Sequence, residues 1–128
     1  MKQIRVLIID DEVGFSSVLA KRLRRREVDV STAACGEEAL HQLTKSTYNV
    51  IILDMNMPGM NGIQVLRAIK KDYPSVEVIL LTGNSDIKNA QASMNAGAFD
   101  FILKPADTEI SSNKIIDADR ISRQHNRI

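Results

Sequence analysis

One cysteine stands in this chain of 128 residues, Cys35. A single thiol excludes an internal disulfide and a multi-cysteine metal site, and it fits a reducing cytoplasm. The chain also lacks any run of 18 apolar residues, which excludes a transmembrane helix. Its first apolar run, in MKQIRVLIIDDE, is too short for a signal peptide and ends in acids. An excess of either charge is absent too: 17 Lys and Arg face 16 Asp and Glu, a net charge of +1. That balance gives no electrostatic reason for nucleic-acid binding, and no aromatic residues are interleaved with the basic ones. Linkers, repeats and low-complexity stretches are missing as well. What remains is 44% hydrophobic and 26% charged, the profile of one soluble globular domain. The even charge conceals one asymmetry. Lys21, Arg22, Arg24, Arg25 and Arg26 lie together, and the rest of the chain carries 12 positive against 16 negative charges, a balance of −4.

Short apolar runs alternate with amphipathic stretches. Strands are expected at 4–9, 28–33, 50–53, 76–81 and 99–103, with helices at 14–26, 36–45, 63–71, 86–96 and 108–122. Phe15, Val18, Leu19 and Leu23 are expected on the inner face of the first helix, with the basic cluster on its outer face. Gly97 has the position of a helix-ending C′ glycine. The last helix has the weakest pattern, because Ser111, Ser112 and Asn113 are poor helix formers and its isoleucines do not share one face. Five strands alternating with five helices indicate an α/β domain with a doubly wound parallel five-stranded sheet. The commonest strand order for such a sheet is 2-1-3-4-5.

In such a sheet ligands bind beyond the carboxyl ends of the strands. The first strand ends at Asp10-Asp11, followed by Glu12, and the third ends at Asp54. The fourth ends at Thr82 and the fifth at Lys104. One rim thus receives three aspartates, a threonine and a lysine. Close carboxylates repel and call for a cation, and oxygen ligands without Cys or His favour a hard ion such as Mg2+. An aspartate can act as nucleophile and carry a phosphoryl group, while Lys and Thr neutralise and orient it. Any one of these residues alone is more often a turn or helix cap. Their coincidence on one rim carries the functional reading.

The segments Val6-Leu7-Ile8-Ile9-Asp10-Asp11-Glu12, Ile52-Leu53-Asp54-Met55-Asn56-Met57-Pro58-Gly59-Met60-Asn61-Gly62, Leu80-Leu81-Thr82-Gly83 and Gly97-Ala98-Phe99-Asp100-Phe101-Ile102-Leu103-Lys104-Pro105 resemble the receiver domain of two-component response regulators, a CheY-like family. The resemblance covers about residues 3 to 122. It implies a flavodoxin-like (βα)5 fold, with a receiver domain over 1–124 and a short tail at 125–128. It implies that Asp54 accepts a phosphoryl group from a sensor histidine kinase or a histidine phosphotransfer protein. Asp11, Asp54 and the Met55 carbonyl would ligate Mg2+ (or Mn2+), with Asp10 holding a metal-bound water. Lys104 would pair with the phosphoryl group and Thr82 would donate to it. The backbone N–H groups of Asn56 and Gly83 would complete the phosphate site, and Phe101 would be the aromatic switch. A cis Lys104–Pro105 bond is expected.

The family's output is a downstream protein or effector domain, reached through the face of the fourth helix, fifth strand and fifth helix. That face is also a candidate homodimer surface. No membrane or direct nucleic-acid contact is expected, and the location implied is cytoplasmic. The chain departs from the family pattern in lacking a glycine turn at Arg26-Glu27-Val28. Cys35 is expected to be a small buried residue. Asn56 and Asn84 stand where the family tunes phosphoryl lifetime, and both are neutral. The basic first helix is a solvated face or a docking surface for an acidic partner.

Two other function classes fit these residues less well. A Mg2+-dependent phosphatase with an aspartyl nucleophile needs a second acid two residues later, where Asn56 stands. A flavin or nucleotide binder on this fold would meet the acidic Asp10-Asp11-Glu12 loop, which repels an anionic cofactor.

Overall fold

The computed structural model describes residues 3–57 and 61–125. Among them, strands and helices alternate as β1 (Arg5–Ile9), α1 (Val13–Arg24), β2 (Asp29–Ala33), α2 (Gly36–Lys45), β3 (Val50–Asp54), α3 (Gly62–Asp72), β4 (Glu77–Thr82), α4 (Ile87–Ser93), β5 (Asp100–Leu103) and α5 (Thr108–His125). All strand pairs are parallel, and the order is β2-β1-β3-β4-β5. This is the flavodoxin-like (βα)5 arrangement that the pattern predicts.

Helices cover both faces of the sheet, so every inner strand position must be apolar. Leu7, Ile9, Ile51, Leu53, Val78 and Leu80 pack with Leu43, Leu66 and Ile69 on one side. Val6, Ile8, Val50, Ile52, Ile79 and Leu81 pack with Leu19, Leu23 and Ile115 on the other. Each fully buried Leu or Ile contributes roughly 1.5–3 kcal/mol. The edge strand β2 buries only Val30 and Ala33, which fits its more polar sequence.

Several local features differ from expectation. The expected 86–96 helix is α4 flanked by single 3-10 turns, Asn84–Asp86 and Met94–Ala96. Gly97 ends it in the left-handed region at φ 109°, as a C′ glycine should. Val18 is 48% exposed; α1 buries Ser16, Leu19, Ala20 and Leu23 instead. Ser16 tolerates this because its hydroxyl donates to the Val13 carbonyl. The turn into β2 has no glycine, and Glu27 itself takes φ 66°. Cys35 is exposed rather than buried. It precedes α2 in extended backbone, so Gly36 and Ala39 of the helix turn inward in its place.

The core-facing side of α5 carries Ser111, Ser112, Ile115, Ala118, Asp119 and Ser122, while Ile110, Ile116 and Ile121 are exposed. Asp119 is compensated by Arg123 one turn on, at 2.8 Å. The expected tail at 125–128 begins inside α5 at His125, and 126–128 lie outside the described residues.

Candidate functional site

The register sets the carboxyl ends of four strands level with one another. Ile9 pairs with Leu53, Asp54 with Leu81, and Thr82 with Leu103. Asp10 therefore leaves β1 beside Asp54 at the end of β3, and Lys104 leaves β5 beside Thr82 at the end of β4. The carboxyl end of the adjacent strands β1 and β3 is the place where the chain reverses its winding direction. Asp10, Asp54 and Thr82 are buried there. A crevice of about 200 Å3 opens over Asp54, lined by Glu12, Met55, Asn56, Leu81, Thr82, Gly83, Asp86 and Lys104.

Lys104 is the hub of the charges. Its Nζ lies 2.9 Å from Glu12 Oε1, 3.3 Å from Asp10 Oδ2 and 3.7 Å from Asp54 Oδ1. It also stands 4.8 Å from the centre of the Phe15 ring, a cation–π contact from the first turn of α1. Burial pulls the Lys104 pKa down, but the Glu12 hydrogen bond and the charges on Asp10 and Asp54 outweigh it, and the net shift is upward. Asp54 is pushed up to about 7, chiefly by burial. The Asn56 N–H, donating to Asp54 Oδ1 at 3.2 Å, and the Lys104 charge oppose that rise; the Asp10 charge adds to it.

The expected residues do not all converge. Asp10, Glu12 and Asp54 offer carboxylate oxygens within 4.8 Å of one another, a group able to hold a metal ion. Asp10 Oδ1 accepts from the Glu12 N–H, while the buried Asp10 Oδ2 faces the Lys104 ammonium at 3.3 Å. Three carboxylates meeting at one point, two of them buried and with only one lysine among them, form an all-oxygen cluster that suits a hard cation. Asp11 is exposed and lies outside this group. Met55 sits on the crevice wall, its backbone N–H held by the Leu81 carbonyl at 3.0 Å. The Thr82 hydroxyl donates to the Gly83 carbonyl at 3.2 Å. Phe101 is half-buried in β5, against the core beneath α2, α3 and α4. The Lys104–Pro105 bond is cis, as expected. Pro58, Gly59 and Met60 of the loop motif lie outside the described residues.

Three contributors lie outside the set of site residues expected from the sequence. Phe15 shields Lys104, and its signal was an aromatic one turn into the helix after the acidic loop. Asp86 binds the Asn56 side chain across the crevice, a pairing that no local spacing announces. Gly62 is required by close approach: a Cβ there would stand 2.8 Å from the Met55 Cα and 3.1 Å from the Asp54 carbonyl oxygen.

Comparison with known proteins matches this fold. The family model "Response regulator receiver domain" matches residues 6–115. The DNA-binding transcriptional regulator NtrC of Klebsiella pneumoniae is 36% identical over 102 residues, which cover 80% of this chain and 22% of that protein. The transcriptional regulatory protein GlrR of Escherichia coli K12 is 34% identical over 117 residues, 91% of this chain and 26% of that protein. The chain thus spans about a quarter of the length of these curated relatives.

Among solved structures, a response regulator receiver domain protein from Clostridium thermocellum superposes with TM-score 0.88 at 35% identity, covering 98% of this chain and 99% of that one. NtrX from Brucella abortus superposes with TM-score 0.91 at 26% identity, over 98% of this chain and 29% of that one. The chain belongs to the response regulator receiver domain family. It is a signalling domain of the two-component type, with a phosphorelay role. Among the described residues, no helix is long and apolar enough to cross a membrane.

Proposed function

We propose that the domain takes a phosphoryl group onto Asp54 from a phosphohistidine on a sensor kinase or a histidine phosphotransfer protein. The observation that carries this is Asp54 itself, buried at the crevice floor, 3.7 Å from Lys104, with one oxygen already fixed by the Asn56 N–H. A carboxylate oxygen of Asp54 attacks phosphorus while the donor's P–N bond breaks, and the electron pair stays on the imidazole nitrogen. Phosphoryl transfer asks mainly for positioning and charge neutralisation. Lys104 supplies the cation by leaving Glu12 for the phosphoryl oxygens. Thr82 supplies a hydroxyl donor by leaving the Gly83 carbonyl, and the Asn56 and Gly83 N–H groups serve the same oxygens.

The acids fit a divalent cation. Asp11, Asp54 and the Met55 carbonyl would hold Mg2+, or Mn2+, with Asp10 acting through a water and Glu12 beside them. Bound there, the ion offsets the negative charge of the carboxylates and the phosphoryl oxygens together. The domain in this reading promotes both the gain and the loss of its own phosphoryl group and turns over no other substrate.

The output reading follows from the movement of Thr82. Withdrawal of its hydroxyl from Gly83 frees space next to β5, where Phe101 is half-buried and can change rotamer. The face of α4, β5 and α5 would then bind a downstream protein or effector domain, or a second copy of the chain. Leu103, Ile110 and Ile121 are exposed on β5 and α5. The five basic side chains of α1 and the turn after it are exposed and would meet an acidic kinase surface, raising the encounter rate. This reading places the domain in the cytoplasm, without membrane or direct nucleic-acid contact.

The test is incubation with a small phosphodonor and Mg2+, followed by intact mass. The expected result is one added phosphoryl group on the wild type and none on Asp54→Ala. No addition to the wild type, or addition that survives Asp54→Ala, would refute the proposal.

A further inference from the structure

The mouth of the crevice is bridged by a side-chain bond between the two loops that form it. Asn56 follows Asp54 by two residues at the end of β3. Asp86 closes the 3-10 turn that follows Thr82 and Gly83. Asn56 Nδ2 donates to Asp86 Oδ2 at 2.6 Å, across 30 positions of sequence. Both residues line the crevice with Asp54 and Thr82.

Each end of this bridge is anchored in the reacting machinery. The Asn56 N–H donates to Asp54 Oδ1 at 3.2 Å. The Asp86 N–H donates to the Gly83 carbonyl at 3.0 Å, and that carbonyl also holds the Thr82 hydroxyl. The backbone under the acceptor carboxylate and the backbone carrying Thr82 are thus tied by one charge-assisted bond, a class about twice as strong as a neutral one. Among the described residues Asp86 forms no ion pair, so the Asn56 amide is its side-chain partner.

We propose that Asp86 is a positioning residue that, through Asn56, latches the crevice mouth and lengthens the life of the phosphoryl group. The proposal rests on the reading that Asp54 carries that group. Asp54 lies on the floor, so a phosphoryl group on it points toward the mouth. In hydrolysis a water oxygen bonds to phosphorus as the P–Oδ bond to Asp54 breaks. The electron pair returns to the Asp54 carboxylate, and the water's proton passes to the released phosphate or to solvent. In-line attack requires the water to come from the side opposite Asp54, through the crevice that Asn56 and Asp86 help to line. Opening the latch admits water and frees both loops.

The experiment loads the full chain with a small phosphodonor and Mg2+, removes the donor, and follows loss of the phosphoryl group by intact mass. Asp86→Ala should speed that loss about three- to tenfold, the leverage of one hydrogen bond. Asp86→Asn keeps an acceptor oxygen for Asn56 but loses the charge, so its rate should fall between those of the wild type and Asp86→Ala. Asn56→Ala should match Asp86→Ala, and the double variant should be no faster than either single one. A general structural weakening would not produce that non-additivity or the partial rescue by Asn. An unchanged lifetime in Asp86→Ala overturns the latch, as do additive effects or an Asp86→Asn as fast as Asp86→Ala. A wild-type chain that takes up no phosphoryl group overturns the acceptor reading, and the latch with it. A chain phosphorylated on Asp54 whose lifetime ignores Asp86 overturns the latch alone.

Discussion

Asp54→Asn should make the metal-free protein more stable above neutral pH, and the size of the gain follows from the site. The Asp54 carboxyl is buried at the crevice floor and its pKa is pushed up from 3.8 to about 7, chiefly by burial. In the unfolded chain it ionises near 3.8. Between these values the unfolded state has released the proton and the folded state still holds it. Stability therefore falls as pH rises through this window, and the cost is complete above about pH 7. Three pH units correspond to about 4 kcal/mol, and water reaching the open crevice brings this to roughly 2–4 kcal/mol. Asn carries no charge, and its Oδ1 can still accept from the Asn56 N–H. Urea unfolding of both proteins with a chelator, at roughly pH 5 and pH 8, measures the difference. Only the part of the window between pH 5 and about 7 is crossed, so the advantage of Asp54→Asn should grow by roughly 1–3 kcal/mol between the two conditions. Mg2+ at the higher pH should then stabilise the wild type more than the variant. An equal difference at both pH values would refute the reasoning.

Other perturbations reach different parts of the account. Lys104→Ala removes the cation between Asp10, Glu12 and Asp54; phosphorylation from a small donor should slow at least about tenfold. In the same variant calorimetry should show tighter Mg2+ binding, because a competing positive charge is gone. Gly62→Ala should cost about 1–3 kcal/mol in a denaturant titration, since the new Cβ meets the Met55 backbone rather than a side chain that can swing away. Glu27→Gly should gain about 1 kcal/mol by relieving the left-handed backbone at φ 66°, and a loss of stability would contradict that reading.

The strands and the rim were legible because their physics is local. A strand covered on both faces must be apolar throughout, so Val50 to Leu53 and Val78 to Leu81 announce themselves, and the residues that end them fall on the rim by topology alone. The turn before β2 was marked as irregular by its missing glycine, though not that Glu27 would take the left-handed angle. The inner face of α5 was less legible. Ser111, Ser112 and Ser122 are buried while Ile110, Ile116 and Ile121 are exposed, the reverse of the hydropathy rule. Val18 and Cys35 misled for a similar reason: small neighbours, Ser16 and Ala20 in one case, Gly36 and Ala39 in the other, fill the inward positions.

Within the site, motif matching located Asp10, Asp54, Thr82 and Lys104 on one rim. It could not show that Glu12 rather than Asp11 faces Lys104, since adjacent acids on a loop differ only in where the backbone turns them. The Asn56–Asp86 contact joins two loops from separate strands and has no signature in either.

The account turns on Asp54 as a metal-assisted phosphoryl acceptor. The most direct test is to incubate the wild type with a small phosphodonor across a range of Mg2+ concentrations, then fragment the product to locate the modification. The expected result is a single phosphoryl group on Asp54 whose rate of appearance rises with Mg2+ and vanishes with a chelator. A phosphoryl group on another residue, or one that forms at Asp54 equally well without the metal, would contradict it.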